Sequence, residues 1–236
     1  MSFIFGSLLL LMGTVFAQHP QGELGEVNSQ LSKTFVEKMP KEVVQLYNKN
    51  IKDLKATGIE KKSLKVGENA PDVQLTIAGE KVSLSKIYAV KPVVLKFYRG
   101  GWCPYCVAEM RHYEALNRDF KKADSQIVGV SPDTTEMSAK TQSKNELTYD
   151  LVSDEGHAIA RKFGLVYKAD SKVVEDLKKN GIDLTIYQGN NSNELSIPAT
   201  YVIGKDGKIA FAFVDADFRV RAEPSKVLQV VKSLKK

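Results

Sequence analysis

Apolar positions recur three and four apart early in the chain: Leu31, Phe35 and Met39, then, after Pro40, Val43, Tyr47, Ile51 and Leu54. That is the spacing of one helix face, and it predicts two helices, over 27–38 and 41–57, with Gly58 as a stop. An apolar stripe has to be buried. The expectation is that both helices pack on the sheet of the domain that follows, with a contact between two copies of the chain as the alternative. The rhythm then shortens. Residues 73–77 and 81–84 flank Ala78-Gly79-Glu80, a hairpin signal. Val93, Val94, Leu95 and Phe97 form a short apolar run of the kind a buried strand shows.

Behind that run the helical period returns at Val107, Met110, Tyr113, Leu116 and Phe120. A second buried strand is predicted over 126–130, then a helix capped by Thr134 or Thr135 and reaching about Asn145. Leu151-Val152 reads as a strand end. Ser153 or Asp154 caps a helix through Ile159 and Phe163, stopped at Gly164. Residues 166–193 read as an insertion: a helix carrying Val173, Val174 and Leu177, closed by Asn180-Gly181, then a polar loop over 187–193. The strand at 197–203, the Asp206-Gly207 turn and a partner strand over 209–214 make a hairpin, and Pro224 opens the last helix. Alternating strands and helices imply an α/β domain with its sheet covered on both faces.

The candidate chemistry lies where the first buried strand hands over to its helix. Gly100 and Gly101 allow a sharp turn, and Trp102-Cys103-Pro104-Tyr105-Cys106 follows. Pro104 suits a first helical turn. Both sulfurs therefore belong at a helix N-terminus, where unpaired N–H groups and the helix dipole favour a thiolate, the attacking species in disulfide exchange and peroxide reduction. Three apart on a helix, the two cysteines are neighbours. They are the only cysteines, and His19, His112 and His157 show no ligand spacing, so neither a metal nor another cofactor is expected. Asp215 and Asp217 read as a turn or cap rather than a proton relay. His112, six positions after Cys106, does not share its helix face.

The stretch resembles the peroxiredoxins of the AhpC/TSA family within the thioredoxin-fold superfamily, in a variant with a CxxC. Leu64-Lys65-Val66-Gly67-Glu68-Asn69-Ala70-Pro71-Asp72 looks like the opening of such a domain, and Lys96-Phe97-Tyr98 leading to Cys106 matches the approach to the peroxidatic cysteine. The resemblance implies a thioredoxin fold, a central mixed sheet flanked by helices, preceded here by an N-terminal helical extension. It also implies Cys106 as the attacking sulfur, leaving a sulfenic acid that Cys103 resolves. The family's Pro-x-x-x-Thr-x-x-Cys loop survives only at its cysteine: Arg99 stands at the proline and Cys103 at the threonine. Pro198 falls where the activating arginine is expected, which leaves Arg99, Arg219 and Arg221 as replacements. Similarity to thioredoxins makes Ile197-Pro198 a cis bond facing the cysteines. Arg99, Gly101, Trp102 and Pro198 are thus the candidate substrate contacts.

Composition adds an address. The start, residues 1–17, is apolar and ends in Val15-Phe16-Ala17, a small-residue cleavage pattern, with a retained membrane anchor as the alternative because no Lys or Arg precedes the apolar run. The expected organisation is a signal peptide over 1–17, a helical extension over 18–63 and the thioredoxin-fold domain over 64–236, in an exported protein of the periplasm or exterior without stable membrane insertion. A net charge of +6 is spread over scattered lysines without interleaved aromatics, so no nucleic-acid partner is expected. The expected partners are a peroxide, an external dithiol such as a thioredoxin-like protein, and a second copy in a homodimer. Two other classes remain: a protein thiol–disulfide oxidoreductase in which Cys103 attacks, and a redox-inactive scaffold.

Overall fold

The computed structural model describes residues 23–235; the expected signal peptide lies outside them. Its centre is a five-stranded mixed sheet. The strands are β3 (Val93–Phe97), β4 (Gln126–Ser131), β5 (Asp150–Ser153), β8 (Ala199–Ile203) and β9 (Ile209–Val214), in the order β5-β4-β3-β8-β9. β3, β4 and β5 run parallel, and β8 lies antiparallel to both β3 and β9. β3 is buried throughout, and its alternation sorts it: Val94 faces one core, while Val93, Leu95 and Phe97 face the other. Lys96 therefore points with Val94 toward the first face, which is covered by α5 (Pro104–Lys122) and α10 (Pro224–Ser233). The expected hairpin is β1 (Gln74–Ile77) and β2 (Glu80–Ser83), followed by α4 (Leu84–Tyr88).

The extension forms α1 (Leu24–Lys38), α2 (Lys41–Ala56) and the single turn α3 (Ile59–Lys62). Leu54 and Ile59 join the core on the sheet face that carries Val93, Leu95 and Phe97, as expected, but Leu24, Leu31 and Tyr47 pack on helices instead, because α5 and α10 already occupy the other face. α1 lies on α5, with Ser32 Oγ and the Tyr105 hydroxyl 3.1 Å apart. α2 lies against the insertion helix α8 (Ser171–Lys179), and the Tyr47 hydroxyl donates to Asp176 Oδ2 at 3.0 Å. The first turn of α1 is tied to the start of α10: the Leu24 and Gly25 N–H groups donate to the two Glu223 carboxylate oxygens at 3.0 and 3.2 Å.

The insertion is more regular than its polarity predicts. β6 (Val166–Lys168) pairs antiparallel with β7 (Glu194–Ser196), enclosing α8 and α9 (Leu184–Gln188). Thr134 caps α6 (Thr135–Lys144). The helix predicted from Ser153 is broken: a 3₁₀ turn at Glu155–His157 has left-handed backbone at Gly156 and His157. Asp154 then caps α7 (Ala158–Lys162), accepting from Ile159 and Ala160 N–H, each at 2.8 Å.

A candidate thiol active site

Cys103 is the N-cap of α5 and Pro104 its first residue, which places Cys106 in the first turn. Both are free thiols, with 1% and 0% of their surface exposed. The loop behind them demands its glycines. A Cβ on Gly101 would sit 1.8 Å from Thr141 Oγ1, and one on Gly100, at φ +150°, would sit 2.2 Å from Trp102 Nε1. The Gly101 N–H donates to Asp133 Oδ2 at 2.8 Å. Burial, opposed by that hydrogen bond, pushes the Asp133 carboxyl up to about 7.

Each sulfur has its own guanidinium. Arg99 Nη1 lies 3.9 Å from Cys103 Sγ, and Arg221 Nη2 lies 3.3 Å from Cys106 Sγ. Arg99 is 3% exposed and sandwiched, its guanidinium 4.9 Å from the Trp102 ring centre and 4.2 Å from that of Phe218. Among the described residues no carboxylate pairs with it, and its Nε has no partner. Arg221 is held more fully: it donates to the Phe218 carbonyl and to Glu109, which also accepts from Lys96. Lys96 in turn lies 3.9 Å from the Tyr113 ring centre and 3.3 Å from Thr200 Oγ1. Burial alone would raise the Glu109 carboxyl, but Lys96 and Arg221 outweigh it and hold the group ionised.

Three buried cations, Arg99, Arg221 and Lys96, thus face a single fully paired carboxylate. Negative charge on sulfur is what offsets the excess. Burial would raise the Cys103 thiol, but its bond with the Cys106 thiol and the charges of Arg99 and Arg221 pull it down to about 5. Burial and the charge on Cys103 push the Cys106 thiol well up. The two groups titrate as a pair that shares one negative charge, since charge on one sulfur holds the proton on the other.

A pocket of about 670 Å³, counting its open mouth, ends on Cys103 and does not reach Cys106. Arg99, Trp102 and Pro104 line its inner end. Leu31, Phe35 and Tyr47 from the extension, Leu177 and Ile182 from the insertion, and Phe218 form its walls.

Of the expected contacts, Arg99 and Trp102 meet Cys103 in this pocket, and Gly101 shapes the loop behind it. Pro198 is the correction. The described residues contain no cis peptide bond, and Pro198 follows a trans bond, buried between β7 and β8 and outside the pocket lining. Only Ile197 and Pro198 separate β7 from β8, and the Ile197 N–H donates to the Leu165 carbonyl at 2.9 Å. Arg219 lines the pocket but is paired with Asp217, while Asp215 holds Lys55 at 2.9 Å. Both aspartates thus serve the turn. His112 bonds the Ala108 carbonyl through Nδ1. Glu109, Asp133 and Phe218 do not stand out in the sequence, and Lys96 does so only as part of the approach to Cys106, with no role of its own. The one local hint is charge where the pattern demands apolar residues, at Lys96 in a buried strand and Glu109 on the inner face of α5.

Comparison with known proteins identifies the family. The AhpC/TSA family pattern matches residues 66–212. The chain is 30% identical over 174 residues to peroxiredoxin Bcp of Bacillus subtilis (strain 168), covering 73% of this chain and 98% of that protein. It is 32% identical over 126 residues to the chloroplastic peroxiredoxin Q of Sedum lineare, covering 52% of this chain and 67% of the relative. The crystal structure of peroxidoxin BcpB from Mycobacterium tuberculosis superposes with a TM-score of 0.56 at 23% identity, over 73% of this chain and 99% of that one. The fold, the family pattern and the thiol pair at the head of α5 converge: this chain belongs to the AhpC/TSA family.

Proposed function

We propose that the protein is a thiol-dependent peroxidase working through Cys103 and Cys106. The observation that carries this is the pair itself: two sulfurs at the positive end of one helix, each beside a buried guanidinium. A thiolate here attacks the terminal oxygen of a hydroperoxide. The O–O bond breaks, sulfur becomes a sulfenic acid, and the departing oxygen leaves as hydroxide or alkoxide and takes a proton from water. The second thiol then condenses with the sulfenic acid, releasing water and closing a disulfide. An external dithiol of the thioredoxin type reopens it by exchange.

Two observations bear on the order of attack. Position in the family motif and Arg221 at 3.3 Å support Cys106 as the first sulfur. Cation and access support Cys103: Arg99 stands beside it with no carboxylate among the described residues, and the pocket ends there. The order we propose is Cys103 first, with Cys106 resolving.

Peroxide consumption by wild type, Cys103→Ser and Cys106→Ser under excess dithiol tests the function. Trapping with a sulfenic-acid reagent, read by mass, tests the order. Wild type should turn over, Cys103→Ser should neither turn over nor form an adduct, and Cys106→Ser should form one adduct at Cys103. An adduct at Cys106 in the Cys103→Ser protein reverses the order but keeps the function. Absence of peroxide consumption by wild type, with reduction of protein disulfides instead, removes the function.

A further inference from the structure

Much of the pocket in front of Cys103 is built by parts that the family pattern does not cover. Leu31, Phe35 and Tyr47 lie before residue 66, and Phe218 lies after residue 212. Leu177 and Ile182 come from the insertion and complete the apolar wall. The wall is a fixed construction. Phe35 and Tyr47 pack edge to face with ring centres 5.5 Å apart, Tyr47 and Phe218 are 6.2 Å apart, and the Tyr47 hydroxyl ties α2 to Asp176 of α8. Such a surface has no use for hydrogen peroxide, which carries no apolar group. At its inner end lies a cation with no carboxylate among the described residues and an Nε without a partner, on a guanidinium that also approaches Cys103. A buried, incompletely paired guanidinium is suited to charge that develops only during reaction.

We propose that the N-terminal helices are part of the substrate site: Leu31, Phe35 and Tyr47 hold the apolar group of an organic hydroperoxide while Arg99 receives its leaving oxygen. This rests on the peroxidase reading with Cys103 as the attacking sulfur. The thiolate of Cys103 bonds to the terminal oxygen of ROOH and the O–O bond breaks. Cys103 is oxidised to the sulfenic acid. The other oxygen departs as RO⁻ beside Arg99 and is protonated by water to ROH.

The full chain tests this in two ways. Trp102 is the only tryptophan and lines the pocket, so its emission reports occupancy without turnover. Titration with 2-phenyl-2-propanol, the product of cumene hydroperoxide, should give a saturable change that weakens about tenfold in Phe35→Ala, the effect of a few lost methylenes in an apolar site. In turnover, the ratio of kcat/KM for cumene hydroperoxide to that for hydrogen peroxide should fall about tenfold in Phe35→Ala and Leu31→Ala. The milder Phe35→Leu covers the case in which Phe35→Ala fails to fold, and it should lower the ratio less. An unchanged ratio together with no saturable fluorescence change overturns the proposal while peroxide consumption still stands. A wall that serves the reductant instead would leave both readouts unmoved and slow only reopening of the disulfide by thioredoxin, which also overturns it. A wild type that binds the alcohol but consumes no peroxide sinks the peroxidase reading and not the pocket.

Discussion

The two sulfurs sit three residues apart in one helical turn, yet their surroundings differ in kind. Around Cys106 each cation has a polar partner: Arg221 and Lys96 share Glu109, Lys96 also has Thr200 and a ring face, and the pocket that opens on Cys103 does not touch this thiol. Around Cys103 the cation is held by aromatic faces and the Tyr167 side chain, with no carboxylate among the described residues, and a pocket opens onto the sulfur. A saturated network fixes geometry; an unsaturated one leaves charge for a reacting partner. The lesson is that one helix N-terminus can serve two thiols unequally when long-range partners divide its electrostatics.

The strongest way to break the contrast is to remove the carboxylate that saturates the Cys106 side. Glu109→Ala leaves two buried cations without their shared partner and should cost about 3–5 kcal/mol, read as a fall in the urea midpoint. Lys96→Met should cost less, because Arg221 still satisfies Glu109. On the Cys103 side, Arg99→Met should raise the midpoint of Cys103 alkylation by roughly 1–3 units relative to the same protein with Arg99 in place. Iodoacetamide kinetics against pH, run in a Cys106→Ser background and resolved by mass, measure it. An equal rise in Arg221→Met would erase the distinction between the two guanidinium sites.

Asp133 sharpens the picture from behind the loop. Its folded-state value is raised from 3.8 to about 7, so it favours the fold while protonated. That stability is fully present below about pH 4 and is lost as pH rises through 7. Asp133→Asn should therefore lose less melting temperature than wild type between pH 5 and pH 8. The smallest expected effect is Tyr47→Phe, which removes one hydrogen bond between α2 and α8 and should cost about 1 kcal/mol in chemical denaturation.

The parts of this site that depend on neighbours in sequence are legible in the chain itself. A β-branched run, two glycines and Pro104 place Cys103 and Cys106 at a helix start through local backbone rules alone. The stripe of Leu31, Phe35 and Tyr47 signals a buried face, but nothing along the chain says that α5 and α8 bury it. Arg221 stands only as one of three candidate arginines, because its reach to Cys106 depends on how the loop after β9 folds back across α5. Phe218, which meets Arg99, Tyr47 and Tyr105 from three different elements, has no local signature at all. Pro198 shows the opposite failure, in which a motif transferred by resemblance predicts a bond geometry that the two-residue link into β8 does not adopt.

One clasp described with the fold has a practical bearing on all of this. Because Glu223 grips the opening turn of α1, the far end of the polypeptide helps hold in place a wall made near its beginning. An affinity tag or deletion that loosens α10 would then register as altered substrate preference, at a distance from any residue that touches sulfur.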